Sequence, residues 1–126
     1  MTANTAKEHR SSLAFHAGCF AEQSVARHYE RRGYHLAHTR WRSPAGEIDL
    51  ILRFGAKVIF VEVKKSASFA KAAQRVSPRQ KQRIYVSAEV FLETEPTGTL
   101  TEARFDVALV NGCGEIEIVE NAFDGG

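Results

Sequence analysis

The chain has 126 residues, of which 44% are hydrophobic, and a formal net charge of +2. A chain of this length can bury one small globular core but not a second one. No apolar run approaches the roughly 20 residues of a membrane span, and residues 1–12 lack the apolar core of a signal peptide, so we expect a cytoplasmic protein that does not enter a membrane. Cys19 and Cys113 have no zinc-binding spacing with each other or with the five histidines, and we expect reduced, partly buried thiols.

The first predicted element is a helix over residues 16–32, which ends at Gly33 with two arginines in its last turn. Glu22 lies on the face that should pack inward, because three- and four-residue spacing groups it with Gly18, Val25, Ala26 and Tyr29. A buried-face acid of this kind is either directed at a site or sits at the edge of the helix. The spacing leaves both interpretations open.

Three strands are predicted next, over residues 34–42, 47–54 and 57–64. In the second strand Ile48 should share one face with Leu50 and Leu52, and Asp49 should lie on the other. Trp41, between Arg40 and Arg42, is more typical of a core residue than of a base-stacking platform.

Gly55 and Ala56 fit a two-residue hairpin turn with glycine at the first central position. Paired residues then have numbers that add up to 111, which places Asp49 across from Glu62 and Glu47 across from Lys64. Directly opposed side chains have Cβ atoms roughly 4.5–5.5 Å apart, and like charges there are destabilising. Two opposed carboxylates therefore indicate a cation between them, either Lys64 or a divalent metal ion.

Glu62 interrupts an apolar run from Val58 to Val63, where an unpaired carboxylate would be costly. One interpretation is structural, an ion pair of Glu62 or Glu47 with Lys64 on a half-solvated face. The other is a metal site, which the convergence of several acids and one lysine on one face favours.

The second half of the chain begins with a polar, small-residue stretch at 65–76, which we expect to be a mobile loop. Ser77 as N-cap, Pro78 at the first helical position and Gln80 as the partner in a capping box predict a helix to about residue 93. A final hairpin is predicted from residues 103–110 and 115–120, and Asp106 in it is interpreted as a structural acid. The resulting order is αβββαββ.

Charge is distributed unevenly along the chain. Residues 1–88 contain 16 Lys and Arg against 6 Asp and Glu, whereas residues 89–126 contain one arginine and nine acids. From Lys64 to Ala88 there are seven basic residues and no acid. A basic stripe beside a carboxylate site suits a phosphodiester substrate, although charge runs are usually solvated helix faces. The acidic tail of one subunit meeting the basic face of another is a further possibility.

Two segments, Gly46-Glu47-Ile48-Asp49-Leu50-Ile51 and Phe60-Val61-Glu62-Val63-Lys64, form the acid, hairpin, Glu-x-Lys signature of the restriction-endonuclease-like PD-(D/E)xK superfamily. The fuller pattern, over about residues 15–123, resembles the YraN-like uncharacterised protein family, which is considered endonuclease-like and related to Holliday junction resolvases. The further matching residues are Gly18, Glu22, Ala26, Gly33, Tyr34, Lys81, Arg83, Ile84, Ala88, Arg104, Phe105, Asp106, Val107, Asn121, Ala122 and Phe123.

The resemblance implies an α/β fold with a restriction-endonuclease-like αβββαβ core, a mixed β-sheet flanked by helices. We expect residues 1–14 to be disordered and residues 15–126 to form one nuclease-like domain. The implied activity is an endonuclease that uses Mg²⁺ or Mn²⁺ to hydrolyse DNA, with branched or structured DNA as a candidate substrate. The alternatives are a non-catalytic nucleic-acid-binding module on the same fold and a protein-interaction domain. Cleavage of both strands of a duplex would call for a homodimer.

Asp49, Glu62, Lys64 and Glu22 are the expected catalytic residues. Of these, Asp49 and Glu62 should hold the metal ion together with the backbone carbonyl of Val63, and the resemblance adds Glu22 as a further ligand. The side chains expected to contact nucleic acid are Lys65, Arg79, Lys81, Arg40 and Arg42.

Overall fold

The described part of the chain, residues 20–123 of a computed structural model, begins with helical residues 20–30, here called α1. The elements that follow are β1 His35–Ser43, β2 Gly46–Phe54, β3 Lys57–Lys65, α2 Phe69–Ala73, α3 Pro78–Leu92, β4 Ala103–Val110 and β5 Ile116–Val119, with a short 3₁₀ helix at Gly98–Leu100. The predicted disordered segment 1–14, the predicted start of α1, Gly18 and Cys19 lie outside the described residues.

The strands form one mixed sheet in the order β1-β2-β3-β4-β5. Neighbouring strands are antiparallel except for β3 and β4, which are parallel and therefore joined by a crossover that contains α2 and α3. Apolar residues of α1 pack with Leu50, Leu52 and Ile59 on one face of the sheet, and those of α3 pack with Ile51, Val58 and Phe60 on the other. The expected αβββαβ core, a mixed sheet flanked by helices, is confirmed.

The predicted loop at 65–76 is wrong in part, because it contains α2. Ser68 caps this helix by accepting a hydrogen bond from the backbone N–H of Lys71 at 3.2 Å, and Ala72 is fully buried. Ala72 packs with Val107 and Phe123, so tertiary contacts stabilise a helix that is too short to form alone.

The side-chain alternation predicted for β2 fails at Ile48. This residue packs with Ile51 and Phe91 on the α3 side, instead of with Leu50 on the α1 side. Two backbone features explain the change. The ladder between β2 and β3 ends after Leu50, and Arg40, opposite this level of the sheet in β1, has a φ of +49°. A non-glycine residue rarely adopts that conformation, and it interrupts the regular pleat beside Asp49.

The half-buried Trp41 packs edge-on against Phe91 at a centroid distance of 5.3 Å, as the core interpretation expects. Cys113 is exposed in the β4–β5 hairpin, so the expectation of a partly buried thiol is wrong for this residue. Within residues 20–123, no helix has the length and apolar content to cross a membrane.

Asp106 is a fully buried acid on β4, and its carboxylate is saturated with donors. Arg104 binds it with two hydrogen bonds of 2.8 Å, and Tyr29 of α1 donates a third at 2.7 Å. The backbone N–H of Asn121 donates a fourth at 3.1 Å. These contacts tie α1 and the segment after β5 to the centre of the sheet, which agrees with the structural interpretation of this residue.

We expect Asp106→Ala to lower the free energy of unfolding by about 3–5 kcal/mol, because it leaves the Arg104 guanidinium without its buried partner. Glu120→Ala is the matched control, since its carboxylate lies 3.8 Å from Arg104 and is 61% exposed. The control substitution should lower the free energy of unfolding by less than about 1 kcal/mol. Urea unfolding of the two variants and the wild type measures both values. An equal decrease in the free energy of unfolding for both variants would contradict the structural role of Asp106.

Candidate metal centre

The β2–β3 hairpin has the predicted register. Partner residues run from Phe54 opposite Lys57 to Leu50 opposite Val61, and Gly55 in the turn has a φ of +61°, as glycine permits. The ladder ends there, one step before Asp49 and Glu62. The expected direct opposition of these two acids as ladder partners is therefore not formed, and the strands part at this point.

Asp49 bridges the gap between the parted strands. Its Oδ2 accepts a hydrogen bond of 2.8 Å from the backbone N–H of Val63. The carboxylate thus replaces the backbone carbonyl that would accept this bond in a continued ladder. Because the N–H and C=O of one residue point to the same side of an extended strand, the carbonyl of Val63 also points toward β2.

Glu62 is buried, with 6% of its surface exposed, and lies against the first turn of α3. Its Oε1 accepts a hydrogen bond from Gln80 Nε2 at 3.0 Å and lies 3.3 Å from Lys64 Nζ. The carboxyl groups of Glu62 and Asp49 lie close enough for each to shift the pKa of the other. The two acids and the lysine are therefore brought together, as the sequence predicts.

Burial makes two negative charges on this pair unfavourable. Burial first, and then the charge of Asp49 and its hydrogen bond, raise the pKa of Glu62 to about 8, with Lys64 acting in the opposite direction. Burial also raises the pKa of Asp49, although the hydrogen bond from Val63 opposes this. The raised pKa values therefore favour one proton shared by the pair at neutral pH.

Glu22 lies near this pair but has its own partner. Its carboxylate is 2.9 Å from the guanidinium of Arg40. Burial raises the pKa of Glu22, and the hydrogen bond from Arg40 opposes this. The charges of Asp49 and Glu47 add to the rise, so Glu22 lies within electrostatic range of Asp49. A groove of about 390 Å³ between α1 and β1 opens beside it.

The acids do not form a complete ligand set by side chains alone. Over the described residues 20–123, no three Asp, Glu, His or Cys side chains converge closely enough to hold one metal ion. Glu22 is bonded to Arg40, and its role as a metal ligand stays a prediction.

The basic residues expected to contact nucleic acid differ in their exposure and in their partners within the protein. Lys65 and Arg79 are exposed, whereas Arg40 is directed at Glu22. Arg42 is exposed and lies 3.4 Å from Glu47, which therefore pairs with β1 and not with Lys64. The ammonium group of Lys81 lies over the ring of Phe123, 5.6 Å from its centroid.

Sequence reasoning missed Gln80 as a residue of this site. Its backbone N–H donates to Ser77 Oγ at 3.1 Å, as a capping box requires, but its side-chain amide contacts Glu62. The sequence signal, a glutamine three residues after the N-cap, is that of a local capping residue. Nothing local reveals which strand the start of α3 overlies.

The protein has an α/β fold in which a five-stranded mixed sheet is flanked by helices, with Asp49 on β2 and Glu62 and Lys64 on β3. Comparison with known proteins gives the family. The model of Uncharacterised protein family UPF0102 matches residues 21–110, and the chain belongs to this family, the YraN-like family that the motifs resemble.

The relatives cover nearly the whole chain. A UPF0102 protein of Roseobacter denitrificans is 52% identical over 126 residues, which are 100% of this chain and 98% of the relative. A UPF0102 protein of Ruegeria pomeroyi is 59% identical over 110 residues, 87% of this chain and 89% of the relative. One from Cereibacter sphaeroides is 60% identical over 111 residues, 88% and 95% of the respective chains.

The raised pKa of Glu62 predicts a pH-dependent stability. Between its unfolded value of 4.5 and its folded value of about 8, the folded state binds more protons than the unfolded state. The free energy of unfolding should therefore fall with rising pH across this window, by roughly 1–3 kcal/mol through this group. Glu62→Gln should lose this dependence and be more stable than the wild type at pH 8. Urea unfolding in EDTA at pH 5 and pH 8 measures it.

The exposed Glu117→Gln variant is the control for this measurement and should follow the wild type at both values of pH. A Glu62→Gln variant with the same pH dependence as the wild type would contradict the shared proton.

Proposed function

We propose that this protein is a nuclease that hydrolyses phosphodiester bonds of DNA with the help of Mg²⁺ or Mn²⁺. The observation that carries the proposal is the proximity of Asp49 and the buried Glu62 where the β2–β3 ladder ends, with the ammonium group of Lys64 3.3 Å from Glu62. The basic stretch from Lys64 to Ala88, which contains the exposed Lys65 and Arg79, supports a polyanionic substrate.

The donor set fits a hard divalent cation. Mg²⁺ is typically bound by one or two carboxylates, with waters and substrate phosphates completing the octahedron. Asp49 and Glu62 would supply the carboxylates, and the Val63 carbonyl, which points toward β2, would supply a third oxygen. The proton that the pair holds would be released, since metal ligands must be deprotonated. The chemistry that the bound ion supplies is polarisation of a phosphate oxygen and a lowered pKa of water.

In this proposal Lys64 is the residue that acts on the reacting groups. Its ammonium group would orient the attacking water and offset the negative charge that builds on the phosphate in the transition state. The water oxygen forms the new bond to phosphorus, the bond to the leaving oxygen breaks, and the water's proton passes to solvent or to the leaving group. Glu22, within electrostatic range of Asp49, would help to hold a second ion or a water on the α1 side.

One observation favours a second candidate, a non-catalytic nucleic-acid-binding module. The carboxyl pair is satisfied by the shared proton, Gln80, Lys64 and the Val63 N–H, and no buried side-chain polar atom among the described residues lacks a partner. A site that is stable without a metal ion is compatible with a protein that has these residues but does not catalyse the reaction.

Metal binding should be measurable without any substrate. We expect Mn²⁺ to bind wild type in isothermal titration and to release up to about one proton per ion at pH 7, because Glu62 enters the titration protonated. The release is obtained by repeating the titration in buffers that differ in ionisation enthalpy. The Asp49→Asn/Glu62→Gln double variant should not bind.

Glu47→Gln is the matched control for that titration, because Glu47 lies on the same strand as Asp49 but pairs with Arg42. It should retain binding. A double variant that binds Mn²⁺ as wild type does would contradict the assignment of these ligands.

If Lys64 acts in catalysis, its substitution should affect DNA cleavage much more than it affects DNA or metal binding. Lys64→Met should reduce Mn²⁺-dependent cleavage of labelled DNA by roughly 100-fold or more while leaving DNA and metal binding largely intact. Suitable substrates are a single strand, a duplex, a flap and a four-way junction. Lys57→Met, on the same strand but paired with Glu102 at the hairpin end, is the control.

Salt-dependent DNA binding by the wild type without cleavage of any of these substrates, in either metal, would support the non-catalytic module instead. Equal cleavage by Lys64→Met and the wild type would exclude the proposed role of the lysine.

A further inference from the structure

The side-chain amide of Gln80 joins the start of α3 to the carboxyl pair. We propose that Gln80 is a positioning residue that fixes the Glu62 carboxyl group in the orientation that metal binding requires. The inference deepens the proposed function and rests on it. Gln80 is not placed among the metal ligands, because an amide nitrogen that donates to Glu62 acts through that acid.

Gln80 is itself held firmly. It occupies the first turn of α3 after Pro78, and its backbone N–H is bound by the N-cap Ser77. In a capping box the side chain at this position reaches back to the backbone N–H of the N-cap residue. Here it instead donates 3.0 Å to Glu62 Oε1, across 18 residues of sequence. The position thus gives up a local stabilising contact for a contact with the site.

The geometry explains what the amide contributes. Gln80 and Lys64 both contact Oε1 of Glu62, so this oxygen is held from two sides. An amide N–H can donate to Oε1 whether Glu62 is protonated or ionised, so the contact can persist when the shared proton leaves. Unlike Lys64, the amide carries no positive charge that would oppose an incoming cation. It therefore restrains the carboxyl group at no electrostatic cost to metal binding.

Hydrogen bonds to a ligating carboxylate usually matter for metal affinity. Loss of such an outer contact typically weakens binding or activity by about 10–100-fold. Because protons and metal ions compete for the same carboxylates, weaker metal binding should also begin at a higher pH.

Gln80→Met tests the proposal, because methionine keeps the length of the side chain and suits a helix but cannot donate a hydrogen bond. Gln82→Met, an exposed position on the same helix, is the matched control. We expect Mn²⁺ titration at pH 7 to give about 10–100-fold weaker binding for Gln80→Met than for Gln82→Met. The pH midpoint of Mn²⁺ binding should also move upward in Gln80→Met alone. Urea unfolding verifies that both variants are folded, and Gln80→Ala carries the same test if the methionine variant is not.

The outcomes separate this inference from the function on which it rests. If wild type binds Mn²⁺ and Gln80→Met binds within about twofold of Gln82→Met, with an unchanged pH midpoint, the positioning role is overturned and the metal site stands. If wild type does not bind Mn²⁺ either alone or with a short DNA present, the proposed metal site and this inference fail together.

Discussion

The parting of β2 and β3 after the Leu50–Val61 pair is the constraint on which the candidate site depends. A continued ladder would use the backbone N–H of Val63 for strand pairing and leave no space between the strands. Beyond the end of the ladder this N–H needs another acceptor, and the Asp49 carboxylate provides it. The same hydrogen bond fixes Asp49 beside Glu62 and leaves the Val63 carbonyl directed into the gap. The separation of the two strands therefore also positions the two candidate metal ligands, the Asp49 carboxylate and the Val63 carbonyl.

The sequence predicts well those features that are local. The hairpin register follows from Gly55 and Ala56, and the start of α3 follows from Ser77 and Pro78, since turns and caps are determined by a few neighbouring residues. The convergence of Asp49 with Glu62 is predictable from that register, although the parting of the strands is not. The failures depend on tertiary contacts instead.

Ile48 illustrates such a failure, because its change of side follows the end of the β2–β3 ladder and the left-handed backbone of Arg40. The contact of Gln80 with Glu62 requires knowledge of which strand the start of α3 overlies. The helix α2 forms because Ala72 is buried against β4 and Phe123, and no local propensity of a five-residue segment determines that. In each case the residue type is visible in the sequence, but the neighbour that decides its role is distant along the chain.

Two buried acids, Asp106 and Glu62, show how a structural carboxylate differs from a candidate ligand. Asp106 is bound bidentately by Arg104 and accepts two more hydrogen bonds, so its negative charge is fully compensated by the protein. Glu62 contacts Gln80 and Lys64, but burial and the charge of Asp49 raise its pKa to about 8, which favours retention of a proton at neutral pH. Burial is similar for both acids, and the balance of their partners distinguishes them. A divalent cation would balance the negative charge of Glu62 and Asp49, whereas the charge of Asp106 is already balanced by its protein partners.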